Sequence, residues 1–154
     1  MFSCSKLLIG VLLVALFWDQ SCISPPMSVQ CKSFYSLSAR ERERVFPTYD
    51  LEKQLDLSRC GLDRRPPDTS LSLFIADRGE PAIPILLGKL EKERDEQMQY
   101  VIIDVFEVMS VKGYLRDSSD VINRVQQVVT RMKSSILREM AQKDLEQIER
   151  NSAH

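Results

Sequence analysis

Residues 79–90 read G-E-P-A-I-P-I-L-L-G-K-L, and residues 95–109 read D-E-Q-M-Q-Y-V-I-I-D-V-F-E-V-M. Pro81 and Pro84 would break a helix interior, but in a first turn their missing N–H groups fall where no intrahelical acceptor exists, so they mark a helix start. Ile83, Leu86, Leu87 and Leu90 then make an apolar stripe, while Lys89, Glu91 and Lys92 point elsewhere. The second segment is different in kind. Between Tyr100 and Met109 only Asp104 and Glu107 are charged, and Val101, Ile102, Ile103, Val105, Phe106, Val108 and Met109 cover most of the circumference. A helix that apolar must be covered on more than one side, which places it at the centre of the domain.

Outward from this pair the pattern stays helical. Gly113 closes the central helix, and Asp117, Ser118 or Ser119 can cap the next, in which Ile122, Val125, Val129, Met132 and Ile136 continue a core stripe. Beyond it the chain becomes strongly charged, and Leu137, Ala141, Leu145 and Ile148 form a narrow seam that can dock on the domain or serve as a partner surface. Upstream, Ser38-Ala39-Arg40-Glu41 has the capping-box pattern and predicts a short helix through Phe46. Thr48 is a candidate cap for a helix from Tyr49 to Cys60, with Leu51 and Leu55 on one face and Gly61 as a left-handed stop. After an extended Arg64-Arg65-Pro66-Pro67 stretch, Asp68, Thr69 or Ser70 caps a helix running to Asp77 or Arg78, with Leu71, Phe74 and Ile75 inward and Gly79 as terminator.

Gly79, Ala82, Ile83, Pro84, Leu86 and Leu90, with Asp95 at the turn, resemble the first helix of a HEAT-type repeat unit. The span from Gly79 to Gly113, about 34 residues, falls inside the period of helical repeats. The resemblance implies an all-α fold, a short α-solenoid or HEAT-like helical bundle of about five to six helices. Residues 117–136 would supply the first helix of another unit and residues 68–78 the last helix of a preceding one. It also implies a surface presented to another macromolecule rather than a reaction. The expected organisation is a signal peptide or membrane anchor at 1–23, a linker with short helices at 24–67, the HEAT-like core at 68–136, and a charged C-terminal helical extension at 137–154.

The N-terminal assignment rests on Leu7 to Trp18, an uninterrupted apolar run of about 12 residues ended by Asp19. That is short for a spanning helix and suits a signal-peptide core, so the chain is expected to be exported, to the periplasm or a membrane face. Cys22 lies where a bacterial lipoprotein carries its acylated cysteine; simple cleavage and retention as an anchor are the alternatives. Cys31 and Cys60 can close a loop of about 30 residues in an oxidising compartment, or remain two thiols of which Cys60 packs at a helix end.

Composition excludes more than it suggests. With 21 basic and 22 acidic residues there is no broad positive field for nucleic acid. The single histidine is His154, so no histidine triad or imidazole metal site can form, and no cysteine-histidine cluster or phosphate-binding loop occurs. Asp95-Glu96 and Asp104-Glu107 read as helix-start and helix-edge charges, and Asp77-Arg78-Gly79-Glu80 as the residues ordering a corner. No catalytic, cofactor-binding or metal-binding residue is therefore assigned. The functional expectation is a non-catalytic, exported protein–protein interaction module with a protein partner. The alternative is a membrane-anchored structural protein of the envelope that self-associates through its C-terminal helix.

Overall fold

Residues 28–116 and 118–153 are described by a computed structural model, and every regular element among them is helical. The eight α-helices are α1 (Val29–Ser36), α2 (Ala39–Val45), α3 (Leu51–Leu62), α4 (Ser72–Ala76), α5 (Ile83–Lys92), α6 (Glu96–Val111), α7 (Ser119–Val129) and α8 (Ser135–Ser152). The expected signal or anchor segment and Cys22 lie outside the described residues, as do Asp117 and His154. Among the described residues no helix is long and apolar enough to cross a membrane.

Helix α6 is the axis of the bundle. Asp95 caps its start by accepting from the Gln97 N–H, and its end is a Schellman turn in which Gly113, at φ 79°, sends its N–H to Ser110 and Tyr114 sends its own to Met109. Met98, Tyr100, Val101, Ile102, Ile103, Val105, Phe106 and Met109 are buried on α6, which packs against α3, α4, α5 and α8. Its most extensive partner is α8 rather than α5, its neighbour in sequence. Asn151 of α8 donates to the Ser110 hydroxyl at 2.9 Å, fastening the end of that contact.

The N-terminal third belongs to the same core. Phe34, Phe46, Leu55 and Leu57 join one cluster with the α6 residues, so 28–67 is part of the domain rather than a linker before it. Ser38 and Glu41 form the expected capping box on α2. Helix α1 was not anticipated; Ser28 caps it by accepting from the Cys31 N–H at 3.2 Å, and Cys31 and Phe34 are its buried face. Its addition, with the division of the chain after Val129, takes the bundle beyond five or six helices.

Three helix boundaries differ from expectation, one for a local reason and two for tertiary ones. Asp50, not Thr48, caps α3, since Phe46–Thr48 is occupied by a 3-10 turn. Gly61 is a buried helical residue instead of a left-handed stop; it is glycine for lack of room, since a Cβ would meet the Asp68 carbonyl and the Tyr35 hydroxyl at 2.2 and 2.6 Å. Gly61→Ala is accordingly expected to cost about 2 kcal/mol by overpacking, read as a lower urea midpoint; an unchanged midpoint would mean the 62–68 segment yields freely. The helix expected to carry the stripe from Ile122 to Ile136 ends at Val129, and the stripe stays in the core only as far as Met132. Glu96 accepts from the Lys133 and Ser134 N–H groups at 2.6 and 2.9 Å, Ser134 caps α8, and Ile136 ends up 71% exposed.

The corner before α5 is ordered as its residues suggested. Arg78 donates to Gln54 at 2.9 Å and to the Tyr49 carbonyl at 2.8 Å, Asp77 pairs with Lys112, and Gly79 turns the chain at φ 67°. Pro81 sits in a 3-10 turn (Glu80–Ala82) and Pro84 in the first turn of α5, where neither removes a helical bond.

Candidate functional site

Three places concentrate polar chemistry or exposed apolar surface. The first is inside the contact of α4, α6 and α8. Asp104 and Glu107 of α6 and Asp144 of α8 share this space with the Tyr100 phenol, and Ser72 of α4 donates to Asp104. Burial, only partly offset by the Ser72 hydrogen bond, pushes the Asp104 carboxyl up to about 6. Burial and then the Asp104 and Glu107 carboxylates push Asp144 up to about 7, and burial raises Glu107 and Tyr100 as well. One Asp144 oxygen is buried without a hydrogen-bond partner. The carboxyls do not converge as a metal cage: no group of three or more metal-ligand side chains comes together among the described residues.

These groups give the protein a pH dependence whose sign follows from linkage. A carboxyl raised in the folded state contributes its full stability below its unfolded pKa near 4, and that contribution is lost as pH rises through 6 to 7. Glu41, Glu93, Glu96 and Glu139 run the other way; hydrogen bonds hold them below the usual carboxylate range, so their contribution is lost on acidification. Stability should therefore peak near about pH 5 and fall by about 2 kcal/mol toward about pH 8, the coupled carboxyls contributing less than their sum. Urea midpoints of the wild type and of Asp104→Asn/Asp144→Asn at the two pH values check this. A double variant that loses as much stability as the wild type would dispose of the assignment.

The second place is the N-terminal flank. Cys31 and Cys60, the pair singled out from sequence, are joined through their sulfurs, with Cα atoms 6.0 Å apart, and tie α1 to the end of α3. Beside them the Arg42 and Arg64 guanidiniums lie 5.4 and 4.7 Å from the Tyr35 ring centroid, and the Tyr35 hydroxyl donates to the Leu57 carbonyl at 3.0 Å. Arg42 also donates to the Leu37 carbonyl and faces Asp68 at 3.9 Å. Both arginines therefore act within the fold, packing three separate segments around one phenol.

The seam expected as a partner surface is taken up internally. Ala141, Leu145 and Ile148 are buried in the core with Leu137 half-buried beside them, because α8 lays this stripe against α6. A surface already covered by the domain cannot also receive a partner, and α8 is an integral helix of the bundle.

The third place is open. Between α3 and α5 lies a groove of about 600 Å³ lined by Leu51, Leu55, Pro84, Ile85, Leu86 and Gly88. Ile85, Gly88, Lys89 and Lys92 fall at helical spacings of three, one and three, forming a stripe on α5 opposite the buried Leu86, Leu87 and Leu90. Ile85 is 62% exposed, and a Cβ on Gly88 would meet no atom within 4 Å. Asp50 and Glu52 edge the groove on the α3 side, Lys89 and Lys92 on the α5 side, with Lys89 and Glu52 paired across it. The sequence carried a sign of this site: Ile85 stands apart from the core stripe, and Gly88 occupies a helix interior at a cost of about 1 kcal/mol relative to alanine. Comparison with protein-family models, with curated proteins and with solved structures found no match.

Proposed function

We propose that the protein is an exported, non-catalytic interaction module that engages a protein partner through the groove between α3 and α5. The observation that carries this is the outward stripe of α5, where a large aliphatic side chain, Ile85, is 62% exposed beside an apolar floor that no described residue covers. An exposed apolar surface with charged rims has the composition of a protein-binding site, and residues on such surfaces gain most when a partner excludes water from them. The resemblance of Gly79 to Gly113 to a repeat unit that presents helix faces to other macromolecules supports the same reading.

Export draws its support from two independent features. Leu7 to Trp18 has the length of a signal core, and the Cys31–Cys60 bridge belongs to an oxidising compartment. Asp104, Glu107 and Asp144 lie half-buried along the contacts of α6 with α4 and α8, whereas the groove is lined by α3 and α5; their place within a helix contact favours a structural over a catalytic role. Self-association through the C-terminal helix loses its basis, since Ala141, Leu145 and Ile148 are covered by α6.

A photo-cross-linking residue placed at position 85 of the full chain, expressed in its native compartment, tests the site. A discrete protein adduct from position 85, absent when the probe is moved to exposed Gln126, is the expected result. Failure to form any adduct would overturn the reading. Fractionation with thiol alkylation tests export, and a cytoplasmic protein with both Cys31 and Cys60 alkylated would refute it.

A further inference from the structure

We infer that the second half of α8, from Asp144 to Ser152, is a proton-controlled latch: it stays closed over α6 while the carboxyl cluster keeps its protons and lets go as the cluster ionises. The two halves of this helix are fastened differently. At its start the Glu96 carboxylate accepts from the Lys133 and Ser134 N–H groups, the Ser134 hydroxyl accepts from the Leu137 N–H, and Arg138 donates to the Met132 carbonyl. From Asp144 onward the hold consists of Leu145 and Ile148 in the core, the hydrogen bond from Asn151 to the Ser110 hydroxyl, and the meeting of Asp144 with the Tyr100 phenol. Among the described residues no ion pair joins this half to another helix. One Asp144 oxygen and the Ser152 hydroxyl are buried in it without hydrogen-bond partners, and a cleft of about 280 Å³, lined by Ser119, Ile122, Glu149 and Ser152, opens between its end and the start of α7.

What Asp144 faces is acidic. Helix α6 turns Asp104, Glu107 and the Tyr100 phenol toward it, and α4 adds the neutral Ser72 hydroxyl, which donates to Asp104. On α7, Asp120 and Arg124 pair with each other and Arg124 also with Glu91. On α8 itself Lys143 pairs with Glu139 and Arg150 donates to Gln147, while Lys112 after α6 pairs with Asp77. Closing the latch on ionised carboxyls therefore gathers like charges in a half-buried contact where the described cations are engaged elsewhere. Opening hydrates them. Their pKa values then return to about 4, so between about pH 5 and 8 the open form binds fewer protons and gains on the closed form as pH rises. So short an end cannot hold a helix once undocked, and release means fraying from the C-terminal end back to the well-fastened start. It uncovers Leu145, Ile148 and the flank of α6 at Tyr100 and Ser110. This is distinct from the whole-domain loss of stability with pH, because one half-helix opens while the domain stays folded.

Hydrogen exchange of the full chain, purified in detergent, tests the latch at about pH 5.5 and about pH 8, each with and without urea below the unfolding transition. Relative to intrinsic rates, the amides of Leu145 to Glu149 should lose protection about tenfold between the two pH values, through an opening that urea promotes far less than it promotes exchange in α3. The amides of Arg138 to Gln142 should instead share the urea dependence of α3. Asp144→Asn, neutral at both pH values, should remove most of the loss. The inference is overturned by protection past Asp144 that ignores pH, by a urea dependence there equal to that of α3, by equal opening of both halves, or by an Asp144→Asn chain that keeps the full pH dependence. Where that variant fails to fold, the pH and urea dependences of the wild type decide alone.

Discussion

Phe106→Ala is expected to lower the unfolding free energy by about 3–5 kcal/mol, the largest effect of any single substitution considered. Phe106 is fully buried in the second half of α6, and that helix is packed by α3, α4, α5 and α8. Removing the ring takes away its transfer free energy and leaves a cavity that helices arriving from several directions cannot close together. The loss would be a large part of the 5–15 kcal/mol typical of a domain. Urea unfolding followed by far-UV circular dichroism measures it, with Val108→Ala, on the half-buried flank of the same helix, as the comparison. Val108→Ala should cost less than about 1.5 kcal/mol. Equal losses at the two positions would contradict a central α6 covered on several sides.

Cys31→Ala/Cys60→Ala comes next, with an expected loss of about 3 kcal/mol. The bridge spans a sequence separation of 29, and opening it returns the chain entropy that the link denies the unfolded state. The consequences should be concentrated at α1. That helix contributes Phe34 to a ring cluster with Tyr35, Phe46 and Tyr49, at centroid distances of 5.1, 5.9 and 6.4 Å, and has no other covalent hold on α3. Hydrogen exchange in the double variant should therefore show α1 opening ahead of α6. Uniform exchange, with α1 as protected as α6, would show that aromatic packing alone secures it.

The parts of the fold legible in the sequence are those set by local chemistry. Tyr100 to Met109 declares a central helix because so few polar residues interrupt it, and Pro81, Pro84 and Gly113 mark helix ends through backbone constraints that need no partner. What escaped was decided by residues distant in the chain. The interruption between α7 and α8 is held by Glu96, more than thirty residues upstream, and Gly61 is a glycine because the Asp68 carbonyl takes the space a side chain would need. The seam on α8 shows the same division: periodicity located Ala141, Leu145 and Ile148, but only the position of α6 decides whether such a stripe is covered by its own domain. The groove was harder to find, since its signal was one aliphatic residue and one glycine on the wrong side of a good helix.

The covering of α6 by α8 also sets the order in which the protein can be made. Synthesis delivers α6 before the helix that closes over it, so a nascent chain halted before Ser135 carries an apolar rod with an open flank, along which Tyr100 and Ser110 await Asp144 and Asn151. Until translation passes Ile148 the two-sided core cannot form, so consolidation of the central helix waits on the last one.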